Sequence, residues 1–124
     1  MSHKPQIMVV DDDHAICEFL RMFLDGLGYR AVTVNNAEQA VELYSAERPD
    51  AVIMDVIMPG SMDGLGLMRL IKNRWPTIAT LVTSGKEMIA QSALPRGARF
   101  IAKPYLRVQI ETALRELIGG SASA

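Results

Sequence analysis

Residues 7–13 read IMVVDDD, so four consecutive apolar residues run directly into three aspartates. Residues 51–55 (AVIMD) repeat this pattern with one aspartate, and two further apolar runs end on Thr83 and on Lys103. Short apolar runs of this kind are typical of strands buried on both faces of a parallel sheet. The carboxyl ends of parallel strands lie at one edge of the sheet, where open α/β sheets place their ligands. We therefore expect these polar side chains to share one pocket.

Helical patterns alternate with the strand-like runs. After Asp13, which can cap a helix, apolar residues recur at three- and four-residue steps until Gly28, which can end it. Asn35 or Asn36 can cap a second helix. Five alternations of strand and helix predict a parallel sheet covered on both faces. The predicted strands lie near residues 7–10, 30–34, 51–55, 78–83 and just before 103. The predicted helices lie near 14–27, 36–48, 65–74 and from 106, with a short, ill-defined helix around 87–93.

The bulk composition excludes several classes of protein. With 124 residues, 49% of them hydrophobic and 22% charged, the chain has the make-up of one globular domain. We expect a single domain over residues 1–124, with its core at about 6–118 and a flexible tail at 119–124. The net charge of −1 offers no basic face to nucleic acid. No apolar run reaches the roughly 20 residues of a membrane span, no signal peptide is evident, and a single cysteine suits a reducing compartment, so we expect a cytoplasmic protein.

The predicted pocket has the chemistry of a magnesium-dependent phosphoryl-transfer site. Carboxylates that share a pocket, here Asp11, Asp12 and Asp55, repel one another unless a cation lies between them. Oxygen ligands with room for water suit Mg²⁺, which often bridges to phosphate. An aspartate can itself accept a phosphoryl group as an acyl phosphate, with Lys103 and Thr83 supplying a positive charge and a hydrogen bond. Taken singly, each of these residues has a structural explanation, and for Asp13 a helix cap remains the better interpretation.

At these residues the chain resembles the receiver domain of bacterial two-component response regulators. The resemblance covers about residues 6–118. It is carried by five pieces in order, each weak alone but specific together: VVDDD at 9–13, MDVIMPG at 54–60, MDG at 62–64, VTSG at 82–85 and KPY at 103–105.

The resemblance implies a flavodoxin-like (βα)5 fold with sheet order 2-1-3-4-5. It implies that Asp55 accepts a phosphoryl group from a histidine kinase or histidine phosphotransferase. It further implies that Mg²⁺ is bound by Asp12 directly, by Asp11 mainly through water, by Asp55, and by the backbone carbonyl of Ile57. Thr83 and Phe100 would form the switch, Lys103 would pair with the phosphoryl oxygens, and the Lys103–Pro104 peptide would be cis.

The chain departs from the family pattern in four places. Ser61 lengthens the loop after Asp55, and the segment around Pro95 is shorter than the family's fourth helix, which puts family-style dimerisation in question. Phe100 carries no hydroxyl, so it can report on Thr83 only by packing. Ile57 and Gly85 occupy positions that control water access in the family, and Ile57→Asn or Gly85→Glu is expected to change the lifetime of the phosphorylated form.

Other functions fit the residues less well. A phosphatase with an aspartate nucleophile would resemble Asp-x-Asp, but Ile57 stands two residues after Asp55. The chain lacks the calcium-loop pattern, the dinucleotide fingerprint and a Walker-type lysine loop. The remaining alternative is a pseudo-receiver, a phosphorylation-independent protein-interaction module. Since no output domain follows in this sequence, we expect a stand-alone receiver that is not an enzyme in the usual sense. It would act as a monomer or weak homodimer on an unknown downstream protein.

Overall fold

The computed structural model describes residues 4–55, 64–75, 78–84, 94 and 97–119. Five strands and four α-helices lie in these ranges, and a π-helical turn, Arg115–Gly119, follows the last helix. The strands are β1 (Gln6–Val10), β2 (Arg30–Val34), β3 (Ala51–Asp55), β4 (Ala79–Ser84) and β5 (Ala98–Ala102). The helices are α1 (His14–Gly26), α2 (Ala37–Glu47), α3 (Gly64–Arg74) and α4 (Arg107–Leu114).

The strands form one parallel sheet in the order β2-β1-β3-β4-β5. This order is the one expected for a flavodoxin-like fold, and the fold prediction is confirmed. The predicted strands and helices that fall in the described ranges begin and end within one or two residues of their expected bounds. The short helix expected around 87–93 and the shortened fourth-helix region around Pro95 lie outside the described residues.

Two apolar layers sandwich the sheet, which explains why β1 and β3 read as unbroken apolar runs. Met8 and Val10 face the layer formed with α2 and α3, whereas Ile7 and Val9 face the layer formed with α1 and α4. Successive side chains in a strand point to opposite faces, so a strand covered on both sides needs apolar residues at every position. The polar residues at the ends of these apolar runs therefore lie at the edge of the two apolar layers.

Local signals place the helix boundaries. The Asp13 carboxylate accepts hydrogen bonds from the amides of Ala15 and Ile16, at 2.9 and 3.2 Å, and caps α1 as predicted. Gly28 has a φ of 95° just after α1, a conformation that glycine adopts at little cost. Of the two candidate caps for α2, the structure selects Asn36, whose side chain accepts the amide of Gln39 at 2.9 Å.

Within the described part of the chain, no helix is both long and apolar enough to cross a lipid bilayer.

Candidate functional site

Three carboxylates meet at the carboxyl edge of the sheet. Asp11 and Asp12 follow β1, and Asp55 is the last residue of β3, which is paired with β1. One oxygen from each carboxylate lies within 4.8 Å of the others. Asp11 is buried, Asp55 is partly buried and Asp12 is exposed, so the cluster leads from the interior to solvent. The structure thus brings together the three aspartates predicted to share a pocket.

Lys103 joins this cluster from the end of β5, the strand at one edge of the sheet. Its ammonium donates hydrogen bonds to Asp55 Oδ2 at 3.0 Å and to Asp11 Oδ2 at 3.1 Å. The Lys103 amide donates to the carbonyl of Ser84 at 2.8 Å, which extends the pairing of β5 with β4 and fixes where the lysine leaves the sheet. The Lys103–Pro104 peptide is cis, as the resemblance implied.

The ion pairs are partly shielded from water. The side chains of Lys103, Asp55 and Asp11 are 18%, 13% and 4% exposed. Burial raises the pKa of the Asp11 carboxyl, and the Asp13 amide and the Lys103 ammonium only partly oppose this effect. Burial alone would lower the pKa of the Lys103 ammonium, but its hydrogen bonds to Asp55 and Asp11 outweigh burial, and the pKa is raised. Lys103 is therefore held in its charged form.

Thr83 lies beside the cluster but directs its hydroxyl elsewhere. Thr83 and Asp55 are register partners on β4 and β3. The Thr83 hydroxyl is buried and donates a long hydrogen bond, 3.4 Å, to the carbonyl of Met54. The register partner of Thr83 on β5 is Ile101, whereas Phe100 pairs with Val82 and packs in the layer on the α2–α3 face.

The donor set fits a divalent cation. Three carboxylates face one ammonium, so the cluster carries surplus negative charge. The oxygens are hard ligands of the type that Mg²⁺ and Ca²⁺ prefer, and the exposed Asp12 leaves one side open to water, as Mg²⁺ requires. The residues present are thus compatible with the predicted magnesium site.

Some predicted residues have other roles or lie outside the described ranges. Asp13 is exposed and serves as the cap of α1. Ile57 and Gly85 lie outside the described residues.

Two neighbours of the site were not predicted from sequence. The Cys17 thiol donates to the carbonyl of Asp11 at 3.2 Å, and Tyr105 lines a groove beside Lys103. An aromatic residue two positions after the lysine was the available signal for Tyr105. No local signal pointed to the Cys17 contact.

The family model described as the response regulator receiver domain matches residues 7–115. The chain belongs to the response regulator receiver domain family. Membership makes it a module of two-component signalling rather than an enzyme in the usual sense, and the predicted resemblance is confirmed.

Relatives with this description resemble the receiver along most of its length. The response regulator MprA of Mycolicibacterium vanbaalenii is 32% identical over 116 residues, which cover 91% of this chain and 50% of that protein. MprA of Mycobacterium ulcerans is 31% identical over 116 residues, with the same coverage of both proteins. The receiver thus spans about half the length of the curated relatives it matches.

Solved receiver structures share the fold. The signal receiver domain of an HD domain-containing protein from Pseudomonas fluorescens Pf-5 superposes with a TM-score of 0.87 at 26% identity, covering 98% of this chain and 100% of that one. The signal receiver domain of a histidine kinase from Syntrophus aciditrophicus gives 0.82 at 32% identity, covering 94% and 91%. Both comparisons support the flavodoxin-like arrangement.

Proposed function

We propose that this receiver accepts a phosphoryl group on Asp55 from a histidine kinase or histidine phosphotransferase, and that phosphorylation switches its binding to a downstream protein. The observation that carries the proposal is the Lys103 ammonium, which bridges Asp55 and Asp11 beside a third carboxylate. An ion pair needed only for stability would not require Asp12, whose exposed carboxylate adds repulsion.

In the proposed transfer, an Asp55 carboxylate oxygen attacks the phosphorus atom of a phosphohistidine. The new bond is a P–O bond, the P–N bond breaks, and the imidazole leaves with its electron pair and takes up a proton. Lys103 moves from neutralising two carboxylates to pairing with the phosphoryl oxygens, so positive charge is already in place as the acceptor gains negative charge.

The proposed metal set is Asp11, Asp12, Asp55 and the backbone carbonyl of Ile57. When bound, Mg²⁺ supplies positive charge that lowers the repulsion between the carboxylates and the incoming phosphoryl oxygens. Asp11 is held for this purpose by the Asp13 amide, which donates to Asp11 Oδ1 at 2.9 Å and limits rotation of the carboxylate.

The proposed switch starts at Thr83. Its hydroxyl bond to Met54 is long and therefore weak, so turning toward a phosphoryl oxygen costs little. Phe100 then repacks in response, so that a local change at Asp55 alters the protein away from the site. Phe100 and Ile101, the register partner of Thr83, face different layers, so this coupling has to pass from one face of the sheet to the other.

The partner proposals rest on family membership and on charge. A phosphodonor with a phosphohistidine fits the acceptor chemistry, and a cytoplasmic, monomeric or weakly dimeric receiver remains our prediction. The acidic cluster and the net charge of −1 argue against direct contact with nucleic acid.

The test is the intact mass of the protein after incubation with acetyl phosphate, with Mg²⁺ or with EDTA. We expect a gain of one phosphoryl group that requires Mg²⁺ and is absent from Asp55→Asn. Asp13→Asn is the matched control, because Asp13 is an adjacent aspartate that caps a helix. No gain from acetyl phosphate or from a phosphorylated histidine phosphotransferase would overturn the proposal and favour the pseudo-receiver.

A further inference from the structure

A groove runs beside the acidic cluster, between α1 and the loop that joins β5 to α4. It has a volume of about 540 Å³ and is lined by Ala15, Ile16, Phe19, Lys103, Pro104 and Tyr105. All of these side chains except that of Lys103 are apolar or aromatic. The groove therefore brings solvent and apolar surface up to the lysine that bridges the two carboxylates.

Tyr105 shares the lining of this groove with Lys103. Its ring is partly buried in the layer under α1 and α4, and it also lines the groove next to Lys103. Burial raises the pKa of the Tyr105 hydroxyl, the charge of Lys103 opposes this effect, and the charges of Asp11 and Asp55 add to it. Tyr105 is thus both packed against the core and adjacent to Lys103 at the groove.

We propose that Tyr105 is a positioning residue, whose ring limits the access of water to Lys103 from the groove and holds the Lys103 ammonium between Asp11 and Asp55. The physical reason is the local dielectric: more water beside Lys103 than the ring allows would weaken both ion pairs and release the lysine to other rotamers. The effect on the phosphoryl group rests on the function proposed above, but the effect on Lys103 does not.

The first readout needs no phosphorylation. The exchange of the Lys103 ammonium protons with water, followed by ¹⁵N NMR of lysine side chains, reports directly on the bridge. We expect exchange to become roughly tenfold faster in Tyr105→Ala, the change that corresponds to the loss of one charge-assisted hydrogen bond. Tyr105→Phe keeps the ring and should restore slow exchange.

The second readout is the half-life of the phosphorylated form. We expect the half-life to shorten in Tyr105→Ala, because Lys103 would no longer be held against the phosphoryl oxygens, and to recover in Tyr105→Phe. Leu106→Ala is the matched control, since this neighbouring side chain is 66% exposed and does not line the groove. Tyr105→Leu, which keeps apolar bulk, replaces Tyr105→Ala if the alanine variant does not melt cooperatively.

The outcomes separate the two proposals. Unchanged Lys103 exchange in a folded Tyr105→Ala or Tyr105→Leu variant would overturn the positioning role and leave Tyr105 as a packing residue. Faster Lys103 exchange, restored by Tyr105→Phe, would support it even if neither acetyl phosphate nor a phosphorylated histidine phosphotransferase modified the protein. That last result would overturn the proposed phosphorylation alone.

Discussion

Asp55 and Thr83 are register partners at the carboxyl ends of β3 and β4, and yet their side chains take different hydrogen-bond partners. Asp55 accepts from Lys103 at 3.0 Å, whereas the Thr83 hydroxyl donates to the carbonyl of Met54 at 3.4 Å. The sheet therefore brings an acceptor and a hydroxyl side by side without joining them. A group that binds at Asp55 would find the Thr83 hydroxyl one rotation away.

Loss of one carboxylate and addition of Mg²⁺ should each stabilise the protein, because both relieve repulsion in the acidic cluster, but the two gains should not add. Asp12→Asn removes one of three mutually repelling carboxylates, so we expect a slightly higher melting temperature in EDTA. In the parent protein, Mg²⁺ at a hundredfold excess over its dissociation constant should add about 2.7 kcal/mol to the free energy of unfolding. The variant should gain much less at the same concentration. Thermal melts across a Mg²⁺ titration test this, and equal gains in both proteins would contradict Asp12 as a ligand.

Asp13 should matter for stability and not for metal binding. Its carboxylate satisfies two amides at the start of α1, so Asp13→Ala should lower the free energy of unfolding by about 1 kcal/mol. Asp13→Ser keeps a capping oxygen and should recover most of the loss. Urea denaturation measures both values, and the Mg²⁺ response should remain that of the parent protein. A variant that lost its Mg²⁺ response would reassign Asp13 to the metal site.

Tyr44 should contribute to loss of stability at alkaline pH. Burial raises the pKa of its hydroxyl above the ordinary value of 10.0, with Arg48 opposing and Asp50 adding to the shift. Between 10.0 and the folded-state pKa, the native protein keeps a proton that the unfolded chain has lost, so stability falls as pH rises. Tyr44→Phe should flatten this part of the stability profile. Urea melts from pH 7 to pH 11 test the prediction, with pH 7 as the internal control for loss of the hydroxyl itself.

The Thr80 hydroxyl is a buried polar group whose removal should stabilise the protein. Thr80 is fully buried in β4, and its Oγ1 has no hydrogen-bond partner within the described residues. Thr80→Val keeps the shape and removes the buried polar group, so the free energy of unfolding should rise by about 1 kcal/mol. Thr83→Val is the control, because it removes a hydroxyl that has a partner and should give no such gain. A loss of stability in Thr80→Val would mean that this hydroxyl has a partner in solution.

Arg48 ends α2 in a left-handed conformation with a φ of 48°. Its guanidinium lies 5.8 Å from the centre of a Trp75 ring, so any truncation loses a cation–π contact. Arg48→Gly and Arg48→Ala both lose that contact. The left-handed backbone conformation costs more free energy for alanine than for glycine. The glycine variant should therefore be more stable than the alanine variant by about 1 kcal/mol, measured by urea denaturation. Equal stabilities would show that the helix end relaxes.

Much of the fold could be predicted because its signals are local. Unbroken apolar runs mark strands covered on both faces, and periodic apolar residues between them mark helices. Where two local signals competed, as at Asn35 and Asn36, the pattern left the choice open. The structure selects Asn36 as the cap, and the Gln39 side chain in turn accepts the Asn35 amide at 3.2 Å.

The membership of the candidate site was also predictable, but its geometry was not. Once the sheet is predicted to be parallel, the positions of Asp11, Asp55 and Lys103 at strand ends identify them as neighbours. They do not say which atoms meet, nor that Thr83 bonds to Met54 and that Tyr105 lies beside the lysine. These contacts depend on register and on rotamers, which follow from packing on both faces of the sheet.

The sequence by itself determined the order of strands and helices, the caps at Asp13 and Gly28, and the residue types at the strand ends. These features depend on backbone preferences and on periodicities within a few residues. Only the tertiary structure decided that Lys103 bridges Asp55 and Asp11, which lie 48 and 92 positions earlier. Contacts over such separations exist only after the strands have paired, since the sheet, and no local signal, sets the distance between their ends.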